Sequence, residues 1–158
     1  MKDSTNVPSR PTDIMIAVIF IGLQGSGKTE FYHRYFADAY THIELDSLAT
    51  RKNEKNLINE CIKHGESYVI DNENAKAEDR ARYFERARAA GYHVVGYYFE
   101  SDVHTALERK GLAHDRRAQR QFRRVFTRLT PPSFGEGFDE IYTVSMQKDG
   151  EFIVVQST

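Results

Sequence analysis

Hydrophobic residues fall along this chain in two alternating patterns: short β-branched runs, and longer stretches in which they recur every three or four positions. The runs predict strands at Ile14–Ile21, His42–Leu45, Tyr68–Asp71, His93–Phe99 and Ile141–Val144. The periodic stretches predict helices over Lys28–Asp38, where Phe31/Tyr35 and Tyr32/Phe36 lie four apart, and around Asn53–Lys63. Three more follow: Ala77–Ala90 ended by Gly91, Val103–Arg109, and about Asp115–Leu129 stopped by Pro131-Pro132. Lys148-Asp149-Gly150 reads as a tight turn from which Glu151–Val155 returns antiparallel. Alternating strands and helices predict an α/β fold: a mostly parallel five-stranded sheet, helices on both faces, and a C-terminal antiparallel strand. Residues 14–158 read as a single domain behind a polar, flexible N-terminal tail at 1–13.

The first strand runs directly into Gly22-Leu23-Gln24-Gly25-Ser26-Gly27-Lys28-Thr29, which fits G-x-x-x-x-G-K-[ST], the phosphate-cradling P-loop. A strand must turn sharply into a helix here. Glycines let backbone N–H groups converge on anionic oxygens at the positive end of the helix dipole. Gly22, Gly25, Ser26 and Gly27 then form the cradle, Lys28 reaches the β/γ-phosphates, and the Thr29 hydroxyl ligates Mg²⁺. A turn that served chain geometry alone would explain neither the Lys28-Thr29 pair nor the helix after it.

In open α/β sheets ligands sit beyond the carboxyl ends of the strands, so the residues just after each strand carry the candidate chemistry. Asp46 follows the second strand. It can accept the proton of an attacking hydroxyl, or it can cap the helix that follows. Asp71 closes the third strand as a Walker B carboxylate would. It either serves Mg²⁺ or stands as a buried aspartate bonded to the P-loop threonine, and both roles place it beside Thr29. Asn72 and Asn74 either contact an acceptor or shape the turn.

Composition narrows the classes. The lone cysteine, Cys61, falls within the apolar helical set Leu57, Ile58, Cys61, Ile62, so no disulfide forms within the chain. That suits a reducing, cytoplasmic setting. The apolar stretch Ile14–Leu23 is too short to span a bilayer, and Met1–Asp13 has no signal-peptide core. No membrane partner is expected. The histidines at 33, 42, 64, 93, 104 and 114 show no metal-ligand spacing, so no structural metal is expected. Tyr97, Tyr98 and Phe99 read as core. Net charge is −1, yet residues 109–128 hold eight Lys/Arg against Asp115 alone. This +7 segment points to one anion-facing surface. On the fifth helix Arg116, Arg120, Arg123, Arg124 and Arg128 share an arc of roughly 140°, opposite Phe122, Val125, Phe126 and Leu129.

These residues resemble the P-loop polynucleotide kinases, the 5′-hydroxyl kinase module of nucleic-acid end-healing enzymes and their small stand-alone relatives. The similarity runs from about Ile16 to Val144. It is carried by the P-loop, V-I-D-N-E-N at 69–74, A-E-D-R-A-R-Y at 77–83, A-G-Y-H-V at 90–94, A-L-E-R at 106–109 and P-P-S-F-G-E-G-F-D-E-I at 131–141. The resemblance implies a three-layer P-loop kinase fold and Mg²⁺-dependent transfer from ATP, or another NTP, to a hydroxyl. It places Asp46 as general base, Arg109 at the nucleotide, and Arg116 or Arg117 in a lid around 109–120 that neutralises the transferred phosphoryl. Acceptor contacts fall on Arg51, Asn72 and Asn74, and the implied acceptor is a nucleic acid.

Departures from the family pattern concentrate on the acceptor side. Leu45 stands where relatives carry Arg before the catalytic Asp, Ala49 where one phage-type pattern has Arg, and Arg51 or Lys52 is the local substitute. Glu73 replaces a hydroxyl residue with a carboxylate that repels phosphate, and Lys110 replaces an Asn. Two alternatives therefore stay open: a kinase of a small metabolite, nucleoside, hydroxymethylated DNA base or aminoacyl-tRNA, and a non-catalytic nucleotide sensor.

Overall fold

The computed structural model describes residues 7–11 and 13–158; of the expected N-terminal tail, 1–6 and 12 lie outside the described residues. Six strands form one sheet in the order β2-β3-β1-β4-β5-β6: β1 (Ile16–Ile21), β2 (Thr41–Ile43), β3 (Tyr68–Asp71), β4 (His93–Glu100), β5 (Glu140–Met146) and β6 (Phe152–Gln156). The first five are mutually parallel and β6 returns antiparallel along β5, as the pattern of runs and the Asp149-Gly150 turn predict.

Central strand β1 is buried at every position, which is why it reads as an unbroken apolar run rather than an alternating one. Ala17, Ile19 and Ile21 face a core layer built with α3 (Arg51–Lys63) and α5 (Phe84–Ala89). Ile16, Val18 and Phe20 face the other, built with α1 (Lys28–Tyr35) and Phe152 of β6. Phe20 sits edge-on to Phe31, Phe36, Tyr97 and Phe99, so Tyr97 and Phe99 are core, as their pattern predicts. A third cluster packs α6 (Val103–Arg109) and α7 (Arg116–Arg128) over Leu23 of the P-loop, through Ala106, Leu107, Ala118, Phe122 and Val125. Phe126, placed by its spacing on the apolar face of α7, is half exposed.

Two differences from the predicted elements bear on the site. The second strand stops at Ile43, and a separate helical turn, α2 (Leu45–Leu48), follows. The Leu45 N–H leaves the ladder to donate to Asn72 Oδ1 at 2.9 Å, and Ala49 at φ 71° ends the turn. The third predicted helix is split into α4 (Ala77–Ala81) and α5. At the break Tyr83 N donates to Arg80 O, a three-residue bond. Both flanking side chains are anchored: Arg80 is fully buried, and the Tyr83 hydroxyl lies on Glu54. Arg80 donates to Glu136, to the Asn74 and Ala75 carbonyls and to the Thr130 carbonyl, tying the loop after β3 to the segment after α7. Removing one partner from such a buried charge network costs about 3–5 kcal/mol, so this loop is held firmly. Among the described residues no helix is long and apolar enough to cross a membrane.

Candidate active site

The carboxyl ends of β1, β2 and β3 open into a cleft of about 780 Å³. Its floor is the P-loop. Gly25 and Gly27 adopt φ 78° and 101°, where side-chained residues are strained, and a Cβ on Gly25 would stand 2.3 Å from the Ala106 carbonyl oxygen. Glycine is thus required both by backbone conformation and by the close passage of α6. Ser26 Oγ donates to the Leu23 carbonyl at 2.7 Å, which pins the turn. Lys28 is buried, and its Nζ donates to the Gly22 and Leu23 carbonyls at 2.7 and 2.9 Å. Burial pushes the Lys28 ammonium pKa down, while the nearby Asp71 and Glu73 carboxylates push it back up.

The Thr29 hydroxyl donates to Asp71 Oδ2 at 2.9 Å. The bonded-aspartate reading of Asp71 is therefore present in the structure, and the pair offers two hard oxygens side by side, a donor set that fits Mg²⁺. Arg109, at the C-terminal end of α6, donates to the Gly25 carbonyl at 3.2 Å and to the Met146 carbonyl at 3.0 Å. It bridges the P-loop to the end of β5, on the cleft wall.

Opposite the P-loop, Asp46 lines the cleft from the first turn of α2. It does not cap the next helix. Thr50 does, accepting from the Asn53 N–H at 3.1 Å. Among the described residues no hydrogen bond holds the Asp46 carboxylate, which is exposed to the cleft. Asn72 holds α2 instead: its Oδ1 accepts from Leu45 N while its Nδ2 donates to Glu54 Oε2 and the Tyr83 hydroxyl. Arg51 reaches the same group, donating to Glu54 Oε1 and Tyr83 Oη at 2.9 Å each. Burial, reinforced by Glu54, pushes the Tyr83 phenol up to about 12. Asn74, at φ 47°, uses its Nδ2 to donate to the Phe20 carbonyl at 2.8 Å. Asn72 and Asn74 thus spend their amides on the framework, and they line the cleft together with Arg51, whose guanidinium bonds Glu54 and Tyr83.

Arg116 and Arg117 are exposed at the start of α7 and do not line the cleft; Lys110, Val125 and Arg128 do. Glu73 lines it as well. Burial raises its pKa, offset in part by Lys28 and Arg128. The helical spacing put Arg128 on the basic face of α7 but did not single it out from the other arginines there; packing alone brings it to the cleft. The sequence placed His42 only among the histidines without metal-ligand spacing and did not pair it with Glu44, two residues on and just past the end of β2. His42 Nε2 lies 2.7 Å from Asp71 Oδ2 and 3.7 Å from Glu44 Oε2.

A strand–P-loop–helix unit with an aspartate closing β3 and another just past β2 defines a nucleotide-binding P-loop domain of kinase-like fold. The chain belongs to the AAA domain family, which matches residues 18–130. It is 28% identical over 144 residues to a protein of Acanthamoeba polyphaga mimivirus named as a bifunctional polynucleotide phosphatase/kinase. That alignment takes in 84% of the chain but only 34% of the relative, so the chain spans about a third of the length of the protein it matches. Among solved structures, one from the PezAT toxin–antitoxin system of Streptococcus pneumoniae superposes with a TM-score of 0.61 at 13% identity, covering 89% of this chain and 71% of that one. Chaetomium thermophilum Kti12, solved with ADP-AlF3, gives 0.60 at 14% identity over 85% of this chain and 93% of its own. A Sinorhizobium meliloti gluconokinase gives 0.52 at 16% identity over 85% and 83%. At these identities the solved structures establish the fold that the alternating pattern predicts.

Proposed function

We propose that this domain transfers the γ-phosphoryl group of ATP to a hydroxyl, and that the acceptor is the 5′-hydroxyl of a nucleic acid. The observation that carries the transfer is Asp46, a carboxylate exposed to the same cleft that Lys28 and Thr29 line, on a helical turn that Asn72 anchors. Bound at Asp46, a hydroxyl would be oriented toward the γ-phosphorus and would pass its proton to the carboxylate as its oxygen attacks. Lys28 would exchange its two loop carbonyls for phosphate oxygens, and Arg109 would hold the nucleotide from the α6 side. Thr29 and Asp71 would hold Mg²⁺, which when bound supplies charge neutralisation at the phosphates. Closure of the 109–120 segment would bring Arg116 or Arg117 onto the transferred group.

The nucleic-acid acceptor draws on the name of the mimivirus relative and on the basic face of α7, with Arg51 as an acceptor contact and Asn72 and Asn74 shaping the loop beside it. Glu73, Asp46 and Asp79 favour a second reading: together they make the acceptor wall acidic, which suits a neutral hydroxyl compound. Labelled ATP and Mg²⁺ with 5′-hydroxyl DNA and RNA oligonucleotides test the first reading. Transfer that declines steeply with salt is expected of a phosphate-tracking site. Transfer to nucleosides or sugars alone, insensitive to salt, would establish the second.

A further inference from the structure

We propose that His42, Glu44 and Asp71 form a binding site for a first-row divalent transition ion such as Mn²⁺, and that it fills without nucleotide. Their spacing puts them together. His42 lies in β2 and Glu44 one residue past its end, where the backbone is still extended (φ −124°, ψ 118°), so the two, spaced two apart, project from the same face. The β2–β3 register pairs Ile43 with Ile70, which brings Asp71 alongside Glu44. The donor atoms of all three residues lie within 4.8 Å of one another. Nε2 of His42 stands 2.7 Å from Asp71 Oδ2 and 3.7 Å from Glu44 Oε2. Adjacent donors around an ion with bonds of about 2.1 Å are about 3 Å apart and opposite ones about 4 Å, so the three atoms need only small shifts to share one ion.

Preorganisation supports the assignment. The imidazole is stacked on Tyr32, 4.0 Å between ring centroids at 12°, which fixes the direction of Nε2 before any ion arrives. Asp71 is 4% exposed, and its Oδ2 meets the Thr29 hydroxyl as well as the imidazole. Glu44 and Asp71 both line the cleft, so an ion has a path in. One imidazole nitrogen with two carboxylates is a mixed donor set. Mg²⁺ prefers oxygen and gives up water reluctantly, whereas Mn²⁺, Co²⁺ and Zn²⁺ accept the nitrogen. With three protein donors in place, no phosphate oxygen is needed to complete the hold.

The test uses the full chain, stripped of metal and free of ATP, titrated with Mn²⁺ while free Mn²⁺ is read by electron paramagnetic resonance. One stoichiometric site is expected, retained in a large excess of Mg²⁺. His42→Ala and Glu44→Gln should each weaken it by at least about 10- to 100-fold, the loss that even an outer-shell partner produces. Glu44 is partly exposed, so Glu44→Gln keeps the test valid should His42→Ala disturb the Tyr32 stack. Absence of stoichiometric Mn²⁺ binding, displacement by equimolar Mg²⁺, or unchanged binding in both variants would overturn the proposal and leave His42–Asp71 as a plain hydrogen bond. With neither nucleotide nor acceptor present, the result is independent of whether the domain is a kinase.

Discussion

The two walls of the cleft are built on different principles. The nucleotide wall is backbone: glycines at positive φ, a buried lysine bonded to its own loop, and a threonine bonded to Asp71. The wall proposed to face the acceptor is side chain: Asp46 from α2, Arg51 from α3, Glu73 from the loop after β3 and Arg128 from α7 line the cleft from four separate elements. A backbone cradle is set by chain geometry and serves any nucleoside triphosphate alike. On the proposed reading, a side-chain wall would change its acceptor with substitution, whereas the Asn72–Glu54–Tyr83 group behind it is held by its own hydrogen bonds.

The strongest test of this contrast lies on α7. If the 109–120 segment closes, Arg116→Ala or Arg117→Ala lowers kcat by about 10³- to 10⁵-fold, the worth of a guanidinium on the transferred phosphoryl. A fall of that size in Arg128→Ala alone would instead move the role to the cleft wall, with no closure needed. Next is Asp46→Asn, expected to cost about 10²- to 10⁴-fold in transfer while ATP binding, measured by calorimetry, is unchanged. Weakened ATP binding there would mean the walls are not separable. Gly25→Ala should strain the nucleotide wall itself: a Cβ at φ 78° facing the Ala106 carbonyl costs about 1–3 kcal/mol by thermal or urea unfolding, with the stabilisation by ATP lost.

The smallest expected effect belongs to Glu73→Gln. Burial raises the Glu73 pKa in the folded protein, so the folded state holds its proton to higher pH than the unfolded chain. Its ionisation therefore costs stability as pH rises through the folded pKa, and no cost remains below the unfolded value. The variant should gain a few degrees in Tm at neutral pH, by calorimetry, and nothing in acid. The same change should raise the rate on a phosphate-bearing acceptor relative to a neutral one; no change in that ratio would remove Glu73 from acceptor choice.

Local rules made much of this molecule readable. Ile16–Ile21 followed by Gly22–Thr29 specifies a buried strand turning into a helix through a phosphate cradle, because the unbroken apolar run and the glycine-rich turn are both written in consecutive residues. The ladder bonds of the strand nonetheless go to β3 and β4, and Ile14, where the apolar run begins, lies outside the strand and is exposed. Position at or just past a strand end drew Asp71 and Asp46 out of the sequence, and both line the cleft. The break at Tyr83 was not, since the Ala77–Ala90 period continues across it and only the distant Glu54 and Glu136 anchor the two halves apart. Nor could spacing distinguish Arg116 and Arg117 from Arg128: all share one face of α7, and which end meets the cleft depends on how Ala118, Phe122 and Val125 seat on Leu23 and α6.

The sequence by itself therefore determined the parallel α/β framework, the P-loop and its lysine, threonine and partner aspartate, all consequences of short-range periodicity and backbone chemistry. Only the tertiary structure decided that Asn72 and Asn74 brace the framework, that Arg128 and Glu73 line the same cleft, and that His42 and Glu44 meet Asp71. Those relations join residues tens of positions apart, and their distances are set by how strands register and helices pack, quantities that no local pattern contains.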